Sequence, residues 1–160
     1  MANICLNRIE FFGDAKAIAK IKNDMTSQSF GDGEDFYSLC YVTSSDDELT
    51  LDAESKWSPP KLWVDQLSRD YGVLVECEYE EIGSDIWGKF AYKKGEPLFE
   101  IELPYYEGKY ASMEWNEFLE CEVMTLLEDP DSFDDFMEQF SFMSDEHRIE
   151  LEELFFEHSN

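Results

Sequence analysis

The sequence predicts an α+β fold: a split βαβ antiparallel sheet with two helices on one face, followed by an acidic helical extension. Three observations carry this. Residues 56–79, KWSPPKLWVDQLSRDYGVLVECEY, announce a helix start, a helix stop and a strand in succession. Strand-like and helix-like segments follow one another in the order β-α-β-β-α-β, with extra strand material behind them, and that is the order of the split βαβ unit. Beyond residue 110 the period changes to that of short amphipathic helices with almost wholly acidic polar faces.

Residues 3–12, NICLNRIEFF, form the first strand, with Cys5, Ile9 and Phe11 on one side and Ile4, Leu6 and Phe12 on the other. Gly13 and Asp14 end it and cap a helix over residues 15–25, where Ile18, Ile21 and Met25 recur at helical spacing beside Lys16, Lys20 and Lys22. Residues 26–35, rich in Ser, Gly and Asp, read as a loop. Residues 36–43 and 48–53 are strands joined through the polar turn at 44–47. For the second helix Ser58 is the expected N-cap, with Pro59 and Pro60 in the first turn, where a missing N–H costs nothing. Trp63, Val64, Leu67 and Tyr71 make its apolar stripe and Gly72 stops it. Val73, Val75, Cys77 and Tyr79 then alternate with Leu74, Glu76 and Glu78, the period of a strand with one buried face. Residues 85–93 and 97–103 flank Lys94, Gly95 and Glu96, a second hairpin turn. Helices on one face of an antiparallel sheet in this order make the ferredoxin-like arrangement.

In the last third, Trp115, Phe118, Leu119, Val123, Leu126 and Leu127 mark one helix, ending before Pro130. Ser132 caps a second, with Phe133, Phe136, Met137 and Phe140 inward; Ser144 caps a third, with Ile149, Leu151, Leu154 and Phe155 inward. The expected organisation is therefore a ferredoxin-like domain over residues 1–108 and an acidic helical extension over 109–160, packed on it.

The Asn7-Arg8 pair and Gly13 of the opening strand, the W-S-P-P helix start at 57–60, the Trp63-to-Tyr71 stripe and the hairpin with Gly88, Tyr92 and Gly95 stand in a particular order and spacing. Over about residues 3–95 the chain thereby resembles the YubB-type ferredoxin-like family of phages and plasmids. The resemblance implies a ferredoxin-like fold, in the topological sense and without an iron–sulfur centre, and an origin in a mobile element. It supplies no catalytic residues and does not extend to the acidic third.

Thirty-eight acidic against twelve basic side chains give a formal net charge of −26, so nucleic acid and anionic membrane are poor direct partners and a basic protein surface is a good one. With 43% apolar and 16% aromatic residues the chain is far from disordered composition. No apolar run approaches the roughly 18 residues that cross a bilayer, and the first residues lack a signal peptide's pattern, which leaves the cytoplasm of a bacterial host as the expected location. Cys5, Cys40, Cys77 and Cys121 stand singly among apolar neighbours and read as reduced core thiols. Trp57 and Trp63 read as core anchors. Tyr37, Tyr41, Trp87 and Tyr92 suit a sheet face that stacks bases, but the charge opposes RNA and assigns them to a core or a protein contact.

No enzyme is expected. His147 and His158 both fall in the last helix, as surface residues, and no nucleophile–base pair, P-loop, dinucleotide or zinc-protease motif occurs. Asp129, Asp131, Asp134 and Asp135 lack the spacing of a calcium loop. No metal and no cofactor is therefore expected.

The charge of the last third is the functional signal. From residue 111 onward sixteen acidic side chains stand against Arg148 alone, a net of −15. The expected partner-binding set is Glu114, Glu117, Glu120, Asp131, Asp134, Asp135, Glu138, Glu146, Glu150, Glu153 and Glu157. Glu146, Glu150, Glu153 and Glu157 follow at steps of four, three and four, a carboxylate stripe on one helix face at a cost of a few tenths of a kcal/mol per like-charged pair. Solubility alone does not ask for this, since interspersed lysines would serve as well. A fixed array of negative charge resembles the phosphates of duplex DNA. The sequence therefore leads us to expect a DNA mimic that occupies the basic groove of a host nucleic-acid-binding defence protein, a restriction nuclease or CRISPR effector. The alternative is a protein-interaction or assembly module whose acidity serves only solubility.

Overall fold

The computed structural model describes residues 4–25, 36–128 and 132–158, and the expected loop over residues 26–35 lies outside them. The chain divides at Glu102/Leu103 into two compact units. The first holds β1 (Ile4–Phe12), α1 (Ala15–Asp24), β2 (Phe36–Ser44), β3 (Glu48–Lys56), α2 (Lys61–Tyr71), β4 (Leu74–Glu81), β5 (Ile86–Lys93) and β6 (Glu96–Leu103), whose last residue begins the second unit. The second holds α3 (Tyr105–Ser112), α4 (Trp115–Phe118), a π turn (Leu119–Val123), α5 (Met124–Leu127), α6 (Phe133–Glu138) and α7 (Asp145–His158).

The sheet order is β2-β3-β1-β4-β5-β6. β1 lies antiparallel between β3 and β4, β2 pairs antiparallel with β3, and β4 with β5. This is the ferredoxin-like arrangement, with β5 and β6 added beyond β4. Period-two alternation decides which face is dry: Cys5, Ile9 and Phe11, then Leu49, Leu51 and Ala53, then Val75, Cys77 and Tyr79 form one core with Ile18 and Ile21 of α1 and Trp63, Val64 and Leu67 of α2. Each such large side chain contributes about 1.5–3 kcal/mol by leaving water. The opposite face of β1 stays open, with Ile4 and Leu6 exposed.

Asp14 caps α1, its carboxylate accepting from the Ala17 amide at 2.9 Å. Ser58 does not cap α2. Pro60 takes that position and the helix starts at Lys61, because a residue preceding proline is pushed out of the α region and Pro59 precedes Pro60. Gly72 ends α2 in the left-handed region, φ 67°. The β5–β6 turn has positive φ at Lys94 and Gly95, the turn type that matches strand twist. Ser68, fully buried in α2, accepts the Gly95 amide at 2.8 Å and so fastens that turn to the helix.

Buried Asn7 anchors β1. Its Nδ2 lies 2.9 Å from the Cys5 carbonyl, 3.2 Å from the Ala53 carbonyl and 2.8 Å from Ser55 Oγ. Ser55 Oγ in turn donates to the Ser58 carbonyl at 2.7 Å, which closes the corner between β3 and α2. That corner places Trp57 at φ 69° with its ring more than half exposed. Trp57 is thus not the expected core anchor, whereas Trp63 is buried. Of the cysteines, Cys5 and Cys77 are buried and Cys40 and Cys121 are exposed, all four as free thiols. Cys40 lies on the outermost strand and Cys121 on the outer side of the π turn, positions that alternation and helical angle turn to solvent.

Candidate functional site

The second unit folds around Phe118, Val123, Leu127, Phe136, Phe140, Leu151 and Phe155. Helices this short are unstable alone, so what forms them is the burial of these side chains together with good caps. Ser132 Oγ accepts the Asp135 amide at 3.1 Å and Ser144 Oγ the His147 amide at 3.3 Å. Tyr106 and Tyr110 of α3, a helix the sequence reading did not include, pack against the same core. Its signals were Pro104 at the N-cap position and Glu107 in the first turn. The expected helix after Trp115 runs without a break in sequence to Leu127 but carries a π turn at Leu119–Val123. Phe118 and Val123, five residues apart, are both buried; a regular helix would set them ~140° apart, and the wider turn brings them to one side.

Apolar side chains point inward, so the carboxylates point out. Glu114, Glu117 and Glu120 are exposed around α4 and the π turn, and Asp134, Asp135 and Glu138 on α6. Asp134 and Asp135 stand in the first turn of α6, where the helix dipole favours negative charge. Glu146, Glu150, Glu153 and Glu157 are all exposed along α7 and span ~16 Å of helix axis. Asp131 lies outside the described residues. Among the described residues, Glu150 alone of this set has a side-chain hydrogen bond, from Trp115 Nε1 at 2.8 Å, and none has an ion pair. That bond ties the start of α4 to the α7 stripe.

Three further features escaped sequence reasoning. Glu122 is no part of the acidic surface: nearly buried, it lies 3.7 Å from Lys109 Nζ and accepts the Tyr105 hydroxyl at 2.9 Å. His147, expected at the surface, is half-buried. Its ring stacks on Trp115 at 4.0 Å between centroids, nearly parallel, and its Nδ1 is 2.8 Å from the Tyr110 hydroxyl. The signal was its place on α7 one turn before Leu151 and two before Leu154, the inward side. Ile149, expected inward, is exposed, as is Phe156. Helical angle sets both beside the carboxylate stripe, and Phe156 also stacks on Phe133 at 5.1 Å between ring centroids.

The sheet unit offers a different surface. On the face away from α1 and α2, Arg8 pairs with Asp52 at 3.2 Å and Lys89 with Glu76 at 3.1 Å, while Trp87 Nε1 donates to Glu78 at 3.0 Å. Trp87 is buried, Tyr92 is half-buried edge-on to Phe90, and Tyr37 is exposed; the side chain of Tyr41 lies outside the description. These aromatics therefore do not form one stacking platform. Glu10 stands directly opposite Glu76; burial, chiefly, and the neighbouring carboxylates raise its pKa above the usual carboxylate value, against the pull of Lys89. Among the described residues no three His, Cys, Asp or Glu side chains are placed to share a metal ion, and no helix is long and apolar enough to cross a membrane.

A family model described as the ferredoxin-like domain in Api92-like protein matches residues 36–124, more than half of the chain. Among solved structures, the crystal structure of a protein Api92 from Yersinia pseudotuberculosis is similar, with 22% identity and a TM-score of 0.39. The match covers 42% of this chain and 24% of that one, so less than half of this chain aligns with about a quarter of that relative's length. No curated protein matches.

Proposed function

This chain belongs to the family of ferredoxin-like domains in Api92-like proteins, and from that footing we propose that it is a non-enzymatic phage or plasmid protein that inhibits a host nucleic-acid-binding defence protein by DNA mimicry. The acidic helices act as the mimic and the ferredoxin-like unit as the scaffold. The observation that carries the reading is that Glu146, Glu150, Glu153 and Glu157 are all exposed along one face of α7. At 3.4 Å per base pair, the ~16 Å they span equals about five base pairs of duplex. Four carboxylates stand there where one strand of the duplex carries about five phosphates, so a basic groove built for phosphates meets charge of the same sign at close to single-strand density. The YubB-type resemblance of residues 3–95 supports the mobile-element origin, and restriction nucleases and CRISPR effectors are the targets with such grooves.

A second reading rests on Ile149 and Phe156, which stand exposed beside the stripe. An apolar contact there would make the chain an interaction or assembly module, with its acidity serving solubility. Inhibition of a panel of restriction nucleases and CRISPR effectors, measured from low to high salt and with competing duplex DNA, separates the two. Mimicry gives inhibition that fades steeply with salt and is competed by DNA, since the Debye length falls from ~30 Å at 0.01 M to ~10 Å at 0.1 M. Replacing Glu146, Glu150, Glu153 and Glu157 by Gln abolishes it and leaves the fold intact or slightly more stable. Inhibition that survives this quadruple change but is lost in Ile149→Ala with Phe156→Ala would establish the apolar contact instead.

A further inference from the structure

A cavity of about 440 Å³ opens in the ferredoxin-like unit, at the corner between β3 and α2 and beside the ends of β4 and β6, lined among others by Trp57, Lys61, Tyr79, Glu81, Ile86 and Glu102. That volume is within the range of small-molecule sites, ~300–1,000 Å³. It lies apart in sequence from the acidic helices, and its lining is chemically specific.

Glu81 is 8% exposed. One carboxylate oxygen accepts the Ser84 hydroxyl at 2.8 Å, and among the described residues no Lys or Arg pairs with it. No buried side-chain oxygen in the described residues lacks a partner, so its second oxygen is reachable by solvent. Glu102 lines the same cavity and accepts the Tyr79 hydroxyl at 2.8 Å. The Tyr79 ring passes over Gly88, where a Cβ would come within 2.3 Å of it, so glycine is what lets the ring carry its hydroxyl to Glu102. The lining lysine is already matched: Lys61 pairs with Glu100 and lies 5.7 Å from the centre of the Phe90 ring. The uncompensated charge in the cavity is thus that of Glu81 and Glu102. Beside them Trp57 keeps an exposed ring in a left-handed backbone conformation, which is costly for a bulky residue and such strain collects at functional positions. The Asn7–Ser55–Ser58 chain of hydrogen bonds holds that corner.

We infer that this cavity binds an organic cation, a primary ammonium or guanidinium group on a short alkyl stem, with the head group at Glu81 and Glu102 and the stem against Trp57 and Ile86. A buried carboxylate and an aromatic face together favour such a group over a metal ion, since they supply charge and a π surface but few oxygen ligands. The cation comes either free in solution or as a lysine or arginine side chain of another protein.

The test is an amide and indole NMR titration of the full chain with n-butylammonium, with n-butanol as the uncharged match and a blocked lysine, N-acetyl-lysine methylamide, as the second cation. Saturable shifts at Ser84, Gly88 and the Trp57 indole are expected, with n-butanol at least about tenfold weaker. Glu81→Gln weakens binding about tenfold or more. Trp57→Gly removes the ring while relieving the backbone, so its loss of binding comes with an unchanged or higher Tm. Tighter binding of n-butylammonium assigns the cavity to a free amine, and tighter binding of the blocked lysine to a protein side chain. Equal binding by Glu81→Gln, or shifts that never saturate and spread over residues 114–157, overturns the site.

Discussion

A single carboxylate shows how this acidic molecule carries its charge. Glu10 faces Glu76 across β1 and β4, with Lys89 the nearby compensation. Its pKa is raised in the fold, so its contribution to stability is fully present below the unfolded value, near 4.5, and is lost as pH rises through the folded value. Glu10→Gln is therefore expected to raise stability at pH 7 by about 0.2–1 kcal/mol, the range for like charges directly opposed in a sheet. That gain disappears at pH 4. Chemical denaturation of both proteins at the two pH values checks it, and a gain of equal size at pH 4 would show that charge is not the cause. Sequence alternation placed Glu10 on the side of β1 that carries Ile4, Leu6 and Phe12, but neither opened that side to solvent nor set Glu10 against Glu76, because a strand pattern does not reveal its partner's register.

At the scale of elements, helix caps follow local chemistry where the backbone allows it. Ser132 and Ser144 cap as read from the sequence, since each is followed by a helix with an inward apolar side. Ser58 reads equally well and caps nothing, because two consecutive prolines delay the helix past it. Ser132→Ala is expected to cost about 1 kcal/mol, while Ser58→Ala stays within about 0.5 kcal/mol, because only its carbonyl is used. Urea unfolding followed by far-ultraviolet circular dichroism measures both, and equal costs would contradict the assignment of caps. The π turn at Leu119–Val123 was hidden for a related reason: its cause is the shared core of Phe118 and Val123, not local propensity.

For the whole molecule, several groups are kept neutral by the fold. Burial pushes the Cys5 thiol up to about 12 and raises that of Cys77 well above the ordinary range. Burial, and then the hydrogen bond to Asp24, takes the Tyr71 phenol to about 12; burial and the bond to Glu102 raise that of Tyr79. All are raised, so the stability they contribute is complete below the unfolded values, ~8.5 for thiols and ~10 for phenols. It is lost as pH climbs toward the folded ones. Thermal melts should show a Tm that these groups leave unchanged up to about pH 8 and pull down steeply between about pH 9 and 12. In Tyr71→Phe the fall above pH 10 becomes shallower. An unchanged slope in that variant would mean that the phenol ionises as readily folded as unfolded.

The sequence by itself determined the fold class, the strand faces, the helix stripes and the excess of acid in the last third. Each of these follows from periodicity or composition, which act within one element. Tertiary structure decided which carboxylates are surface and which are not. Glu122 is drawn inward by Lys109 and Tyr105, and His147 is stacked on Trp115, both through α3 or α4, at distances in sequence where no period operates. It also decided that Trp57 stands in solvent above a cavity, because that position depends on Asn7, some fifty residues earlier, closing the corner through Ser55. Local pattern sets which side of an element faces water, and only the meeting of distant elements sets what each side touches.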